Sequence, residues 1–133
     1  MRKQFLFYWL PVAGFCVVIF FLSSFPSPDV GPSFALKDKV LHMTAYGMLA
    51  ALFSRACRAA WPGRLSMLQL LAASVCFATL YGMSDEFHQS FVAARQADGG
   101  DVLADFLGGI LGAAGYMTVT FRRSLNPFWK TGR

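Results

Sequence analysis

An all-α bundle of four membrane-spanning helices is the fold class this sequence predicts, and three observations predict it. Hydrophobic residues make up 56% of the 133 positions and charged residues 14%, against about 45–50% and about 25% in soluble domains. Four apolar stretches approach the roughly 20 residues that a helix needs to cross a bilayer. The basic residues lie in short clusters between those stretches, as they do in membrane loops. Disorder, a collagen-like repeat and a disulfide scaffold are excluded by the same composition. The formal charge of +5 is spread too thinly for a nucleic-acid surface, and no nucleic-acid partner is expected. Residues 1–133 read as a single transmembrane domain.

The first span is expected over about 5–24, behind Arg2 and Lys3. Its apolar run is too long for the core of a cleaved signal peptide, and no A-x-A site follows. Pro11 falls near its start, where proline is tolerated better than in mid-helix. The second span is expected over about 39–55, the third over about 65–84 and the fourth over about 102–121. The connection from Ser23 to Lys37 holds Pro26, Pro28, Gly31 and Pro32 and reads as irregular,. Pro62-Gly63 marks a turn in the second connection. The acidic stretch from Asp85 to Asp101 is expected to carry a short helical or re-entrant segment, about 85–93, on the outer side. The tail breaks at Pro127. Cys16, Cys57 and Cys76 fit no metal box and read as free thiols.

Charge sets the expected orientation. Arg2 and Lys3, then Arg55, Arg58 and Arg64, then Arg122, Arg123, Lys130 and Arg133 form three basic segments. The connection with Asp29, Lys37, Asp38 and Lys39 is balanced, and the one with Asp85, Glu86, Arg95, Asp98 and Asp101 is acidic. The positive-inside rule then puts both termini in the cytoplasm and the acidic side outside the cytoplasmic (inner) membrane.

The chain's unusual polar residues gather on that outer side. Lys39, His42, Tyr46, Leu49 and Phe53 share one face of the second helix, and Asp38 could pair with His42 four residues on. Tyr81, Asp85 and His88 share a face at the end of the third helix, where Glu86 and Gln89 are also neighbours. Asp101 suits an N-cap, and Asp105 follows it on a face that continues through Gly108, Gly112 and Gly115. Small residues at that spacing let two helices approach closely. Asp105 therefore points into the bundle, where a carboxylate needs a partner. Lys39, His42 and Arg95 are the cations on hand.

Three stretches also carry a family resemblance. They are Asp38-Lys39-Val40-Leu41-His42-x-x-x-Tyr46-x-x-Leu49, Tyr81-Gly82-x-x-x-Glu86-x-x-Gln89-x-Phe91-x-x-x-Arg95, and Asp101-Val102 followed by Gly108-x-x-x-Gly112. In order and spacing they resemble the signatures of the VanZ-like membrane proteins. The resemblance implies an integral membrane protein of the bacterial envelope. Its founding member is linked to resistance to the glycopeptide antibiotic teicoplanin, which acts outside the cell. The family pattern commonly has Asn where this chain has Asp105.

Three functions stay open at this point. The first is binding of an anionic envelope lipid or lipid-linked precursor, with Lys39, Tyr46, Gln89, Arg95, Asp101 and Asp105 around the ligand. Arg suits the phosphate or carboxylate of such a headgroup. The second is an enzyme on such a lipid, with Glu86 and His42 or His88 as general base and acid. A metal-dependent form would use His42, Glu86, His88 and Asp101 or Asp105, but no compact ligand box is present, and neither a metal nor another cofactor is expected. The third is a structural role, in which polar groups only hold helices together. The sequence leaves open whether one copy or a homodimer completes the pocket. No span shows the matched Gly/Pro breaks of a transporter.

Overall fold

The computed structural model describes residues 2–26, 36–93, 95 and 97–125. Pro28, Asp29, Gly31, Pro32 and the tail beyond Leu125, for which the sequence raises expectations, lie outside the described residues. Four helices and no strand are found among the described residues: α1 Arg2–Ser23, α2 Lys37–Ala60, α3 Met67–Gln89 and α4 Gly99–Leu125. A helix satisfies all its backbone groups internally, which lipid demands. α1 runs unbroken through Pro11. α3 starts on a capping box: Ser66 Oγ accepts from the Gln69 N–H at 3.2 Å, and Gln69 Oε1 accepts from the Ser66 N–H at 2.9 Å,. Ahead of it, Gly63 takes a left-handed φ of 72° in the predicted turn,.

Phe5–Ser23, Met67–Gln89 and Gly99–Arg122 are long and apolar enough to cross a membrane. α2 is not among them, although it was expected to be. Its charge-free stretch runs only over 40–54, between Lys39 and Arg55. The stretch is short, and the other three helices shelter it. α2 packs against all of them, most extensively against α4. Large apolar side chains face outward on the other helices, among them Phe7, Phe21, Leu68, Leu80 and Leu111. So broad an apolar exterior is characteristic of a surface that meets lipid.

The helices alternate in direction, and the two ends differ in chemistry. At one end Arg55 lies over the rings of Phe7 and Tyr8, and Arg58 donates to Thr120 Oγ1 at 3.2 Å. The other end gathers the C-termini of α1 and α3 and the N-termini of α2 and α4. Between them α2 and α4 meet backbone to backbone. A Cβ on Gly108 would strike the Met43 backbone, one on Gly112 the Gly47 backbone, and one on Gly47 would stand 3.0 Å from the Gly108 carbonyl oxygen. A Cβ on Gly115 would meet open space, so the tight seam ends one turn earlier than the glycine spacing suggested. Toward the basic end, Ser54 and Ser74 join α2 to α3 through their buried hydroxyls at 2.7 Å.

The helical segment expected over about 85–93 is the last turn of α3, followed by tight turns. Phe91 N–H donates to the His88 carbonyl and Val92 N–H to the Gln89 carbonyl. Cys16 is half-buried, Cys57 buried and Cys76 exposed, and all three are free thiols.

Candidate functional site

The polar end draws side chains from α2, α3 and α4 into one cluster. Lys39, on the first turn of α2, donates to Asp98 and, at 2.8 Å, to Asp101 Oδ1. One turn on, His42 Nδ1 lies 3.0 Å from Asp105 Oδ1, and Nε2 faces Glu86 Oε1 at 3.9 Å. His42 thus pairs across the α2–α4 seam, and the expected Asp38–His42 pair is not formed. The close approach at Gly108 brings α4 near enough for that. Asp105 is fully buried, and its other carboxylate edge rests on Gly82, where any Cβ would displace it.

Glu86 is held from the loop: its Oε2 accepts the Asp98 N–H at 2.9 Å. Asp98 also accepts the Gly100 N–H through Oδ1 at 2.8 Å. That is the work of an N-cap, so Asp98 takes the role expected of Asp101, which sits in the first turn and serves Lys39. The Lys39 ammonium and, to a lesser degree, the Gly100 N–H hold the exposed Asp98 carboxyl below its ordinary pKa,.

A second group faces α1. Gln89 Nε2 donates to Asp85 Oδ2 at 2.9 Å, and Arg95 Nη1 donates to Gln89 Oε1 at 3.3 Å. Arg95 also donates to the carbonyls of Phe25 and Leu22, closing the C-terminal end of α1. His88 Nε2 lies 3.0 Å from Ser24 Oγ, with its ring against Phe20. The structure therefore turns His88 toward α1, apart from the His42–Glu86–Asp101–Asp105 cluster. Tyr81 likewise reaches α1, donating to the Cys16 carbonyl at 2.6 Å.

Between the two groups opens a cavity of about 290 Å³, lined by the apolar Ile19, Leu22, Leu41 and Ala45 and by the polar Ser23, Asp38, His42, Tyr46, Asp85, Gln89 and Arg95. Tyr46 is 1% exposed and its ring lies parallel to that of His42. The Tyr46 hydroxyl, Glu86 Oε1 and Asp105 Oδ2 are buried without a hydrogen-bond partner among the described residues. Asp85 and Asp98 carry much of this geometry; the sequence placed Asp85 on a face with Tyr81 and His88 but gave it no partner, and marked Asp98 only as a charge. The four-residue spacing of Asp85 and Gln89 could have signalled the first. No pattern marks Asp98.

These features define an all-α membrane protein with a polar centre built where four helix ends meet. The chain matches the VanZ/LLP1 family model over residues 5–122 and belongs to that family. Comparisons with curated proteins and with solved structures return no match.

Proposed function

We propose that this chain is a multi-pass protein of the bacterial cytoplasmic membrane, with both termini inside and the polar end outside. Its cavity binds the headgroup end of an anionic amphiphile, a membrane lipid or a lipid-linked envelope precursor. Through that ligand it affects susceptibility to glycopeptides such as teicoplanin. One observation carries the reading: an apolar-walled cavity ends in polar groups that converge and are not all used. The Tyr46 hydroxyl meets no hydrogen-bond partner among the described residues. Arg95 spends three N–H groups on Phe25, Gln89 and Leu22, which leaves two of its five for a phosphate or carboxylate. Lys39 is already engaged by Asp98 and Asp101, so headgroup contact falls to Arg95 rather than to Lys39. The alternating basic segments support the orientation.

The test is lipid mass spectrometry on protein purified from membranes. The wild-type chain and Ser54→Ala are expected to carry the same lipid, and Arg95→Ala and Tyr46→Phe much less of it. Equal lipid in all four chains, each monodisperse, overturns the reading. A second reading, an enzyme on such a lipid, is favoured by the buried Glu86 Oε1 facing His42 Nε2 across 3.9 Å. A lipid species that changes in cells expressing the wild-type chain but not Glu86→Gln selects it. A reporter fused after Arg133 and found outside the cell refutes the orientation.

A further inference from the structure

We infer that His42, Glu86 and Asp101 form a binding site for a divalent transition metal ion of the Zn²⁺ or Mn²⁺ class. The inference needs no lipid and stands apart from the reading above. One ring nitrogen of His42 and one carboxylate oxygen each of Glu86 and Asp101 lie within 4.8 Å of one another. Glu86 is 6% and Asp101 8% exposed. Each of the three is tied through one polar atom by a neighbour. Asp105 Oδ1 holds His42 Nδ1, the Asp98 N–H holds Glu86 Oε2, and the Lys39 ammonium holds Asp101 Oδ1. Metal-binding histidines are commonly oriented by a carboxylate on the far ring nitrogen in this way, and carboxylate ligands are themselves hydrogen-bonded.

The second observation is an unfilled need. Glu86 Oε1 is buried, faces His42 Nε2 at 3.9 Å and has no hydrogen-bond partner among the described residues. Where Nδ1–H donates to Asp105, a neutral imidazole presents the lone pair of Nε2 toward the same space. A lone pair and a carboxylate oxygen repel one another, and a cation between them resolves both. One imidazole and two carboxylates suit Zn²⁺ or Mn²⁺ better than thiol-seeking metals. Tetrahedral donors at about 2.0–2.1 Å stand roughly 3.4 Å apart, so side-chain rotations must draw the donors together by up to about 1.4 Å. Three protein ligands leave a position for water or for a ligand oxygen, as in open zinc sites.

The experiment uses the full chain in detergent, stripped by chelator and dialysed against Zn²⁺ or Mn²⁺ alone, with bound metal measured by mass spectrometry. About one ion per chain is expected in the wild type and in Ser54→Ala, with at least a tenfold loss of affinity in Glu86→Gln and His42→Asn. Less than a stoichiometric ion with either metal, or equal binding by Glu86→Gln, overturns the site. Should those variants fail to fold, Co²⁺ in the wild-type chain decides. Intense visible absorption of four- or five-coordinate cobalt supports the site, and the pale spectrum of the six-coordinate aqueous ion refutes it.

Discussion

Adding one methyl group at Gly112 should loosen the α2–α4 seam, while the same methyl at Gly115 should not. A Cβ on Gly112 would stand 1.8 Å from the Gly47 carbonyl oxygen and 2.7 Å from its Cα, whereas one on Gly115 meets nothing within 4 Å. Non-bonded heavy atoms prefer separations of roughly 3.5–4.0 Å, so α4 must retreat by more than about 1 Å in Gly112→Ala. The obstacle is backbone, which has no rotamer to escape into. Overpacking of this kind costs roughly 1–3 kcal/mol. Replacing Gly by Ala in a helix also gains about 0.8–1.0 kcal/mol in propensity. That gain is common to both variants, so their difference isolates the clash. Gly112→Ala is expected to lie about 1–3 kcal/mol below Gly115→Ala, and Gly115→Ala at or above the wild type. Reversible unfolding in mixed micelles, followed by helical circular dichroism, measures both. Equal midpoints would refute the backbone contact between α2 and α4.

Three further outcomes follow from the same geometry. Asp105→Asn keeps an acceptor for His42 Nδ1 and should fold as stably as the wild type, whereas Asp105→Ala should lose about 1–3 kcal/mol, the range for an unsatisfied buried donor. Thermal unfolding separates the two, and equal losses would refute the His42–Asp105 bond. Ser54→Ala should cost about 0.6 kcal/mol, the mean for interhelical hydrogen bonds in membranes; Ser74 keeps its bond to the Leu70 carbonyl, and a loss above about 2 kcal/mol contradicts this scale. The Asp98 carboxyl is lowered by Lys39, so its contribution is present above the ordinary carboxylate pKa and fades as pH falls through the lowered value. The stability gap between the wild type and Asp98→Asn should therefore close in acid, and a gap that is constant with pH contradicts the pairing.

Much of this arrangement was legible from spacing. Residues 5–24, 65–84 and 102–121 announce themselves by apolar length, and α1, α3 and α4 fall there within a few residues. Lys39, His42 and Tyr46 lie at helical spacing and do face the bundle. The partners were less legible, because a helix face does not name its neighbour. Asp38 is the nearest carboxylate to His42 in sequence, yet Asp105 wins, because the glycine seam brings α4 closer than the next turn of α2. His88 fits a face shared with Tyr81 and Asp85, but that face meets α1. Asp98 escaped because its role is made by a loop backbone, which no periodicity records.

Lys39 and His42 are synthesised about sixty residues before Asp98, Asp101 and Asp105, the groups that complete them: the separations are 59, 62 and 63 residues. The most polar of the four helices is therefore made early, and its principal cover comes last. Until α4 arrives, Lys39 lacks both of its carboxylate partners, and His42 has Glu86 of α3 but not Asp105. The polar centre is thus also a record of timing. It can close only once α4 is in place, and a chain stopped before Asp98 would have neither the α4-side carboxylates nor the seam that bring α2 to rest.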